Sequence, residues 1–331
     1  MFKSSLRHAA ICATMPLLLA GTSAFALEKA DIRIAAVYEN TSDAFWGSYM
    51  CGAKAKAAEL GIKLEVASQA TPDSAKLATA LDTALLTAPL AAIVNPIDPA
   101  PWSTKIASLM AAGLAVSTVQ NFDAIPTQYS YSQADDAGAP FAPMVLDLVG
   151  KGKTGKAVTL LGLAKAPWQD NRVAALENAI KEANPEMQFL DAQVDGFDVN
   201  KGTQLISSLI VANPDLKVIL AVAGPEGQAV AAAIKQTGAT GITVIAFDAV
   251  PAEVAGIRDG TIQMLIAQPA YGLGGAQVEQ LVGYLTSAVY APGKPVKAQS
   301  GTPSIQKVGI ISKANVDAPE TKQFIYNGDC Q

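Results

Sequence analysis

The chain has 331 residues, half of them hydrophobic, a formal net charge of −5 and a single histidine, His8. The acidic balance argues against nucleic acid or an anionic membrane surface as a partner. Because the chain beyond the first ten residues has no histidine, it excludes a Ser-His-Asp or Cys-His catalytic unit and a histidine-ligated zinc site, and we expect no cofactor or metal.

The first 26 residues have the pattern of a secretory signal peptide. Lys3 and Arg7 provide a positive start, residues 9–20 are apolar but too few to span a bilayer, and residues 24–26 (AFA) form a small-x-small cleavage site. We predict cleavage after Ala26 and export to the periplasm. The net charge then falls to −7, because the leader carries two cations and no acid. The remaining residues suffice for two domains.

Beyond the leader, strand-like and helix-like segments alternate almost throughout. The strand-like segments are short aliphatic runs, typical of strands covered on both faces. Predicted strands cover residues 32–37, 63–66, 91–95, 115–119, 157–161, 188–194, 218–222, 243–247 and 264–268. Predicted helices cover residues 44–60, 74–86, 103–112, 139–149, 169–183, 201–212, 226–236, 252–259 and 274–289. This order indicates α/β architecture with parallel sheets, and so many strands favour two doubly wound domains over one.

Polar and aromatic residues recur directly after the predicted strands. The first strand is followed by Glu39 and Asp43, and then by Phe45 and Trp46 on the first helical turn. Ligands of open α/β sheets bind at the carboxyl ends of the strands, so these residues predict a small-molecule cleft. Later strands are followed by further candidates, namely Gln120, Asn121, Trp168, Arg172, Phe197, Asp248 and Gln268.

Some of these residues have a second interpretation. Phe45 and Trp46 are also consistent with core anchors beside a solvated turn. Arg172 lies in a helix pattern and is consistent with an ordinary exposed arginine, or with a planar fork turned back onto a polar ligand. Trp168 suits either an added cleft wall or an anchor at a helix start.

The acids after the strands also suggest a catalytic hypothesis. Asp198 with Asp248, or Glu39 with Asp43, has the residue types of a glycoside hydrolase pair. Acids at strand ends are common in binding sites, however, and nothing in the sequence fixes their separation. We therefore expect a binding protein and not an enzyme.

Two cysteines remain after the leader, Cys51 in the first predicted helix and Cys330 at the end of the chain. An even pair in an oxidising compartment indicates a disulfide, with two separate buried thiols as the alternative. In the chain-entropy model, a bond that closes almost the whole chain stabilises the fold by about 4 kcal/mol.

The order and spacing of short motifs resemble the periplasmic sugar-binding proteins of ABC importers, of the ribose-binding, type I solute-binding kind. These motifs are residues 42–46 (SDAFW), 51–53 (CGA), 95–98 (NPID), 196–198 (GFD), 246–251 (AFDAVP), 266–268 (IAQ) and 313–317 (KANVD). The tail 326–330 (YNGDC) is similar to a subset of that family with paired cysteines. The resemblance implies two lobes joined by a three-segment hinge: residues 27–134 with 269–302, and residues 135–268 with 303–331.

The resemblance also implies a set of ligand contacts. By position these are Asp43, Phe45, Trp46, Arg172, Phe197, Asp248 and Gln268. Gln120 and Asn121 stand where the family has an Asp-Arg pair, and the family's cleft asparagine falls at Ala223 or Gly224. A site without partners for buried hydroxyls discriminates strongly, so these departures imply a ligand other than ribose.

The function expected from the resemblance is capture of a small polar ligand, a sugar or sugar-like polyol, and its delivery to an inner-membrane ABC permease. The protein would act as a monomer and close around the ligand by a hinge motion. One alternative is a periplasmic ligand-sensing protein that presents its closed form to a membrane kinase or chemoreceptor. An amine or another non-sugar ligand is a further option, because carboxylates beside Trp46 and Trp168 suit a cation.

Overall fold

The computed structural model describes residues 27–38, 43–69, 73–96, 99–119, 129–131, 138–164, 166–298, 307–326, 328 and 330. The leader with its cleavage site, Glu39, and the candidate ligand residues Gln120 and Asn121 lie outside the described residues. Their assignments therefore stay predictions.

The described residues alternate between strands and helices, as the sequence predicts. The strands are β1 (Arg33–Tyr38), β2 (Lys63–Ser68), β3 (Ala91–Val94), β4 (Ala115–Val119), β5 (Tyr129–Tyr131), β6 (Gly155–Leu161), β7 (Met187–Phe189), β8 (Gln193–Val194), β9 (Leu216–Ala221), β10 (Thr243–Phe247), β11 (Met264–Ala267) and β12 (Gly309–Ile311). The α-helices are α1 (Ala44–Leu60), α2 (Ser74–Leu85), α3 (Pro99–Ala111), α4 (Ala142–Val149), α5 (Pro167–Ala183), α6 (Val199–Ala212), α7 (Gly224–Thr237), α8 (Pro251–Asp259) and α9 (Ala270–Leu285). Three 3₁₀ helices cover Lys29–Asp31, Ala139–Phe141 and Pro319–Phe324. Among the described helices, none is both long and apolar enough to cross a bilayer.

The strands form two sheets with a shared strand order. The first sheet runs β2-β1-β3-β4-β5, and every pairing in it is parallel. The second runs β12-β11-β10-β9-β6-β7, with β8 also beside β6, and only its edge strand β12 is antiparallel. When β7 and β8 are counted as one interrupted strand and the antiparallel β12 is left aside, the second sheet has the same doubly wound order as the first, 2-1-3-4-5 from the first strand of each. The predicted two-domain α/β fold is confirmed.

Helix α9 packs against α1 of the first sheet although it follows β11 of the second. The two helices approach so closely that glycine is needed at the contact: a Cβ on Gly52 would lie 1.8 Å from the carbonyl oxygen of Tyr271. A Cβ on Gly274 would lie 1.9 Å from the carbonyl oxygen of Tyr49. The chain therefore passes from the second lobe to the first directly after β11.

The C-terminal tail returns to the first lobe. After the 3₁₀ helix Pro319–Phe324, Tyr326 is buried in the hydrophobic core that covers the first sheet. Cys330 then forms a disulfide with Cys51 of α1, with a Cα–Cα distance of 4.9 Å. The predicted disulfide is confirmed.

Candidate functional site

The first lobe presents three predicted site residues at the start of α1, directly after β1. The carboxylate of Asp43 caps the helix, because its Oδ1 accepts a hydrogen bond from the backbone N of Phe45 at 2.9 Å. The rings of Phe45 and Trp46 meet edge to face, with centroids 4.9 Å apart. Trp46 also contacts Tyr38 and Tyr49 and is 3% exposed. These aromatics are core anchors, and their contact with a ligand stays a prediction.

The second lobe contributes a buried arginine. Arg172 on α5 is 2% exposed, so it is not an ordinary surface residue. Its Nη1 donates to the carbonyl oxygen of Val222, just after β9, at 2.8 Å. The guanidinium lies over the ring of Trp168 at 4.9 Å and over Phe247 at 5.1 Å. These contacts fix the planar fork at the carboxyl ends of the strands.

Asp248 lies beside this arginine, directly after β10. Its Oδ1 is 3.9 Å from Nη1 of Arg172, and its Oδ2 accepts from the backbone N of Gly224 at 3.0 Å. Gln268, which follows β11, directs its Nε2 at Oδ1 of Asp248 from 3.5 Å. Three of the predicted residues of the second lobe, Arg172, Asp248 and Gln268, thus form one contact group.

Phe197 and Trp168 form an aromatic pair at the edge of this group. Their rings are parallel within 2°, with centroids 6.4 Å apart. A Cβ on Gly162 would lie 2.1 Å from Cε1 of Phe197, so glycine is needed where the phenyl ring crosses the backbone after β6. Trp168 lies in the first turn of α5 and also contacts Arg172. Its contact with a ligand stays a prediction.

Charged groups of both lobes interact at this site. The pKa of Asp43, in the first lobe, is raised to about 7: burial and then the Asp248 carboxylate raise it, whereas the backbone N–H of Phe45 and the Arg172 guanidinium lower it. The geometric link between the lobes is Tyr326, because its ring contacts Phe45 and its hydroxyl donates to Asp248.

Sequence reasoning missed two buried acids near the site. Glu226, on the first turn of α7, is fully buried, and within the described structure no donor reaches either of its carboxylate oxygens. Burial raises the pKa of Glu226 well above its usual range, and the neighbouring Asp195 carboxyl raises it further. The raised pKa favours the protonated form of Glu226, whose hydroxyl can donate to the Asp195 carboxylate. The signal was the position of Glu226 soon after a strand, but the sequence alone does not separate a buried acid from an exposed one there.

The hydrolytic interpretation of Asp198 is not supported. Asp198 is exposed and caps α6, accepting hydrogen bonds from the backbone N atoms of Asn200 and Lys201. This acid serves the helix start and does not pair with Asp248.

The two lobes have the same strand order, and polar residues of both lie at the carboxyl ends of the strands. This arrangement defines a bilobal α/β binding protein. The family model described as "Periplasmic binding protein domain" matches residues 34–288. The chain belongs to this family, which confirms the predicted class.

Relatives and solved structures agree with this assignment. Ribose import binding protein RbsB of Bacillus subtilis is 25% identical over 242 residues, 72% of this chain and 77% of that protein. The protein of the same name from Escherichia coli is 24% identical over 249 residues, 74% of this chain and 82% of that protein. An ABC transporter solute binding protein from Agrobacterium vitis bound with α-D-tagatopyranose has a TM-score of 0.75 and 24% identity, covering 89% of this chain and 99% of that one. Another, from Burkholderia graminis in complex with D-arabinose, has a TM-score of 0.77 and 19% identity, covering 88% and 99%.

Proposed function

We propose that this protein captures a sugar or sugar-like polyol between its lobes in the periplasm and delivers it to an ABC permease of the inner membrane. The relatives named for ribose import and the neighbours that hold α-D-tagatopyranose and D-arabinose support this ligand class. The observation that carries the proposal is that Tyr326 contacts groups of both lobes: its ring centroid lies 5.5 Å from that of Phe45 in the first lobe, and its hydroxyl donates to Asp248 in the second.

The proposed contacts follow from the chemistry of the group. Carboxylates, the guanidinium and the amide fix hydroxyls, and the aromatic faces pack on the apolar side of a sugar ring. The proposed ligand residues are Asp43, Phe45, Trp46, Gln120, Asn121, Trp168, Arg172, Phe197, Asp248 and Gln268. Contacts to both lobes stabilise the closed state by differential affinity, which is the basis of hinge closure.

The cellular setting is part of the proposal. The leader pattern supports export with cleavage after Ala26, and the family of solute-binding proteins supports binding without turnover. We propose that the exported protein is a monomer, since one chain holds both lobes of the site.

An amine-bearing ligand is a second candidate, favoured by the density of acids. A ligand ammonium group would pair with the carboxyl groups of Asp43 and Asp248 and favour their charged forms.

A thermal-shift screen of the oxidised, processed protein tests both candidates. The panel contains D-ribose, D-allose, D-arabinose, D-fucose and D-tagatose, together with polyols and primary and quaternary amines. A ligand at 100 times its Kd adds about 2.7 kcal/mol of stability. Stabilisation by a sugar or polyol supports the first candidate, and stabilisation by amines alone supports the second. Turnover of a stabilising compound would overturn both.

A further inference from the structure

The C-terminal tail reaches the candidate site through one side chain. Tyr326 is 1% exposed, and its hydroxyl donates to Oδ1 of Asp248 at 3.1 Å. The same hydroxyl accepts from the backbone N of Gln268 at 3.3 Å, and the backbone N of Tyr326 donates to the carbonyl oxygen of Ala249 at 3.0 Å. Tyr326 therefore contacts the ends of β10 and β11 together.

The tail is also fixed to the first lobe. The ring of Tyr326 meets Phe45 edge to face, with centroids 5.5 Å apart. A Cβ on Gly47 would lie 3.0 Å from Cα of Gly328, so the tail backbone lies directly on α1. The disulfide from Cys330 to Cys51 closes this contact covalently. The C-terminal tail thus links the start of α1 in the first lobe to the Asp248 carboxylate in the second lobe.

We propose that Tyr326 is a positioning residue for Asp248 and that the Cys51–Cys330 disulfide keeps it in place, so that ligand affinity depends on the bonded tail. This inference rests on the proposed function, in which Asp248 contacts the ligand.

The hydrogen-bond pattern gives the physical reason. One oxygen of Asp248 is held by the backbone N of Gly224, and the other receives its shorter bond from the tyrosine hydroxyl. Asp248 has a φ of 80°, a conformation that neighbouring contacts must maintain. Loss of the hydroxyl leaves Oδ1 of Asp248 with only the longer bond from Gln268 and also deprives the N–H of Gln268 of its acceptor.

Hydrogen exchange tests the positioning role without any ligand. Tyr326→Phe keeps the buried ring and removes only the hydroxyl. We expect faster amide exchange at Gln268, because its N–H donates to the hydroxyl itself, and at Gly224, because its N–H donates to Oδ2 of the carboxylate whose Oδ1 accepts from the hydroxyl. Tyr49→Phe is the matched control, since it deletes a buried hydroxyl that donates to Gln277 at 2.7 Å in the first lobe. Equal exchange at both amides in the wild type and Tyr326→Phe would overturn the positioning role, whatever the ligand proves to be.

Calorimetry then tests the effect on binding, with the tightest-binding sugar of the panel named above. We expect Tyr326→Phe to weaken affinity about tenfold, the lower end for a hydrogen bond to a charged group, and Tyr49→Phe to stay within about twofold. In an Asp248→Gly background, which tolerates the positive φ, Tyr326→Phe should change affinity less than about twofold. An equal tenfold loss in both backgrounds would show that Tyr326 does not act through Asp248.

The disulfide is tested by Cys51→Ser/Cys330→Ser and by mild reduction of the folded wild type, in which Cys330 is exposed. We expect faster exchange at Gly224 and Gln268 in either form and at least threefold weaker sugar binding, with no further loss when Tyr326→Phe is added. Unchanged exchange and affinity after reduction would overturn the role of the bond. Failure of every sugar to bind the wild type would instead overturn the proposed function, and the exchange results would still decide the inference.

Discussion

Two residues of the site, Phe197 and Asp248, have left-handed backbone conformations with φ of 60° and 80°. Such positions cost non-glycine residues about 1–3 kcal/mol and persist only where the surroundings hold them. Here Gly162 leaves room for the phenyl ring, and Gly224 and Tyr326 hold the carboxylate. Strain of this kind concentrates at functional sites, which agrees with the proposed ligand contacts.

We expect Asp248→Asn to weaken sugar binding by about 1.5–3 kcal/mol, the range for hydrogen bonds to a charged group. Asparagine tolerates positive φ, so the backbone should persist. Titration calorimetry measures the change. Asp73→Asn is the control, because Asp73 caps α2 and asparagine caps helices equally well. Unchanged affinity in Asp248→Asn would remove this residue from the site.

Glu226 predicts a pH dependence of stability. Its folded-state pKa lies well above the ordinary 4.5 because it is buried and faces Asp195, so the folded state holds the proton more tightly than the unfolded state. The contribution of Glu226 to stability is therefore fully present below pH 4.5 and is lost as pH rises toward its folded-state pKa. Glu226→Gln is neutral throughout and can donate to Asp195. We expect it to be more stable than the wild type at about pH 8, by a difference that shrinks as the pH falls.

Urea denaturation at several pH values measures this difference. Glu182→Gln, on an exposed position of α5, is the control and should change stability equally at every pH. A wild type as stable as Glu226→Gln at pH 8 would contradict the buried, proton-sharing pair.

At the level of elements, the contact between α1 and α9 depends on glycine. We expect Gly52→Ala to lower the free energy of unfolding by about 1–3 kcal/mol, because the added methyl meets the backbone of Tyr271. Gly283→Ala is the matched change on the open side of α9, where no atom lies within 4 Å, and should gain up to about 1 kcal/mol from helix propensity. Denaturant unfolding measures both, and a neutral Gly52→Ala would show that the helices can separate without cost.

The aliphatic strands were predictable because a strand buried on both faces appears in the sequence as a continuous apolar run. Helix α1 was predictable because its capping residue, Asp43, comes directly before it. The predicted strand 188–194 was wrong in one respect: it is two strands, β7 and β8, on either side of residues 190–192. The helix predicted at 274–289 is α9, which begins and ends four residues earlier. Its glycines allow close packing against α1, but in a sequence glycines are typical of helix ends, and this displaced the predicted bounds. Strands β5 and β12 have three residues each and leave too short a pattern to detect.

The positions of Asp43 and Asp248 directly after strands were predictable from the sequence, and Arg172 on α5 was predicted from the family resemblance, while their ligand contacts stay predictions. Tyr326 was not predictable, because its contact with Asp248 joins positions 78 residues apart and no local pattern reports such a pairing. The same holds for the partnership of Glu226 with Asp195.

At the level of the whole molecule, hinge closure predicts compaction. Small-angle scattering with saturating sugar should show a lower radius of gyration, because contacts to both lobes exist only in the closed state. Arg172→Lys loses the planar fork that reaches Val222 and should bind more weakly and compact less at the same sugar concentration. Arg258→Lys, at an exposed ion pair with Asp317, should behave as the wild type. Tight binding without compaction would contradict the hinge mechanism.

The disulfide that fixes the tail also limits how far a pulling force can extend the protein. Cys51 and Cys330 are separated by 279 residues, so nearly the whole fold lies inside one covalent ring. A pulling force applied at residue 27 and Cys330 acts on residues 27–51, which include β1 of the first sheet, and then passes across the sulfur atoms, so it bypasses the second sheet. The oxidised chain would extend by only about 80 Å, at roughly 3.4 Å per residue. The reduced chain would extend by on the order of 1000 Å as its lobes unfold.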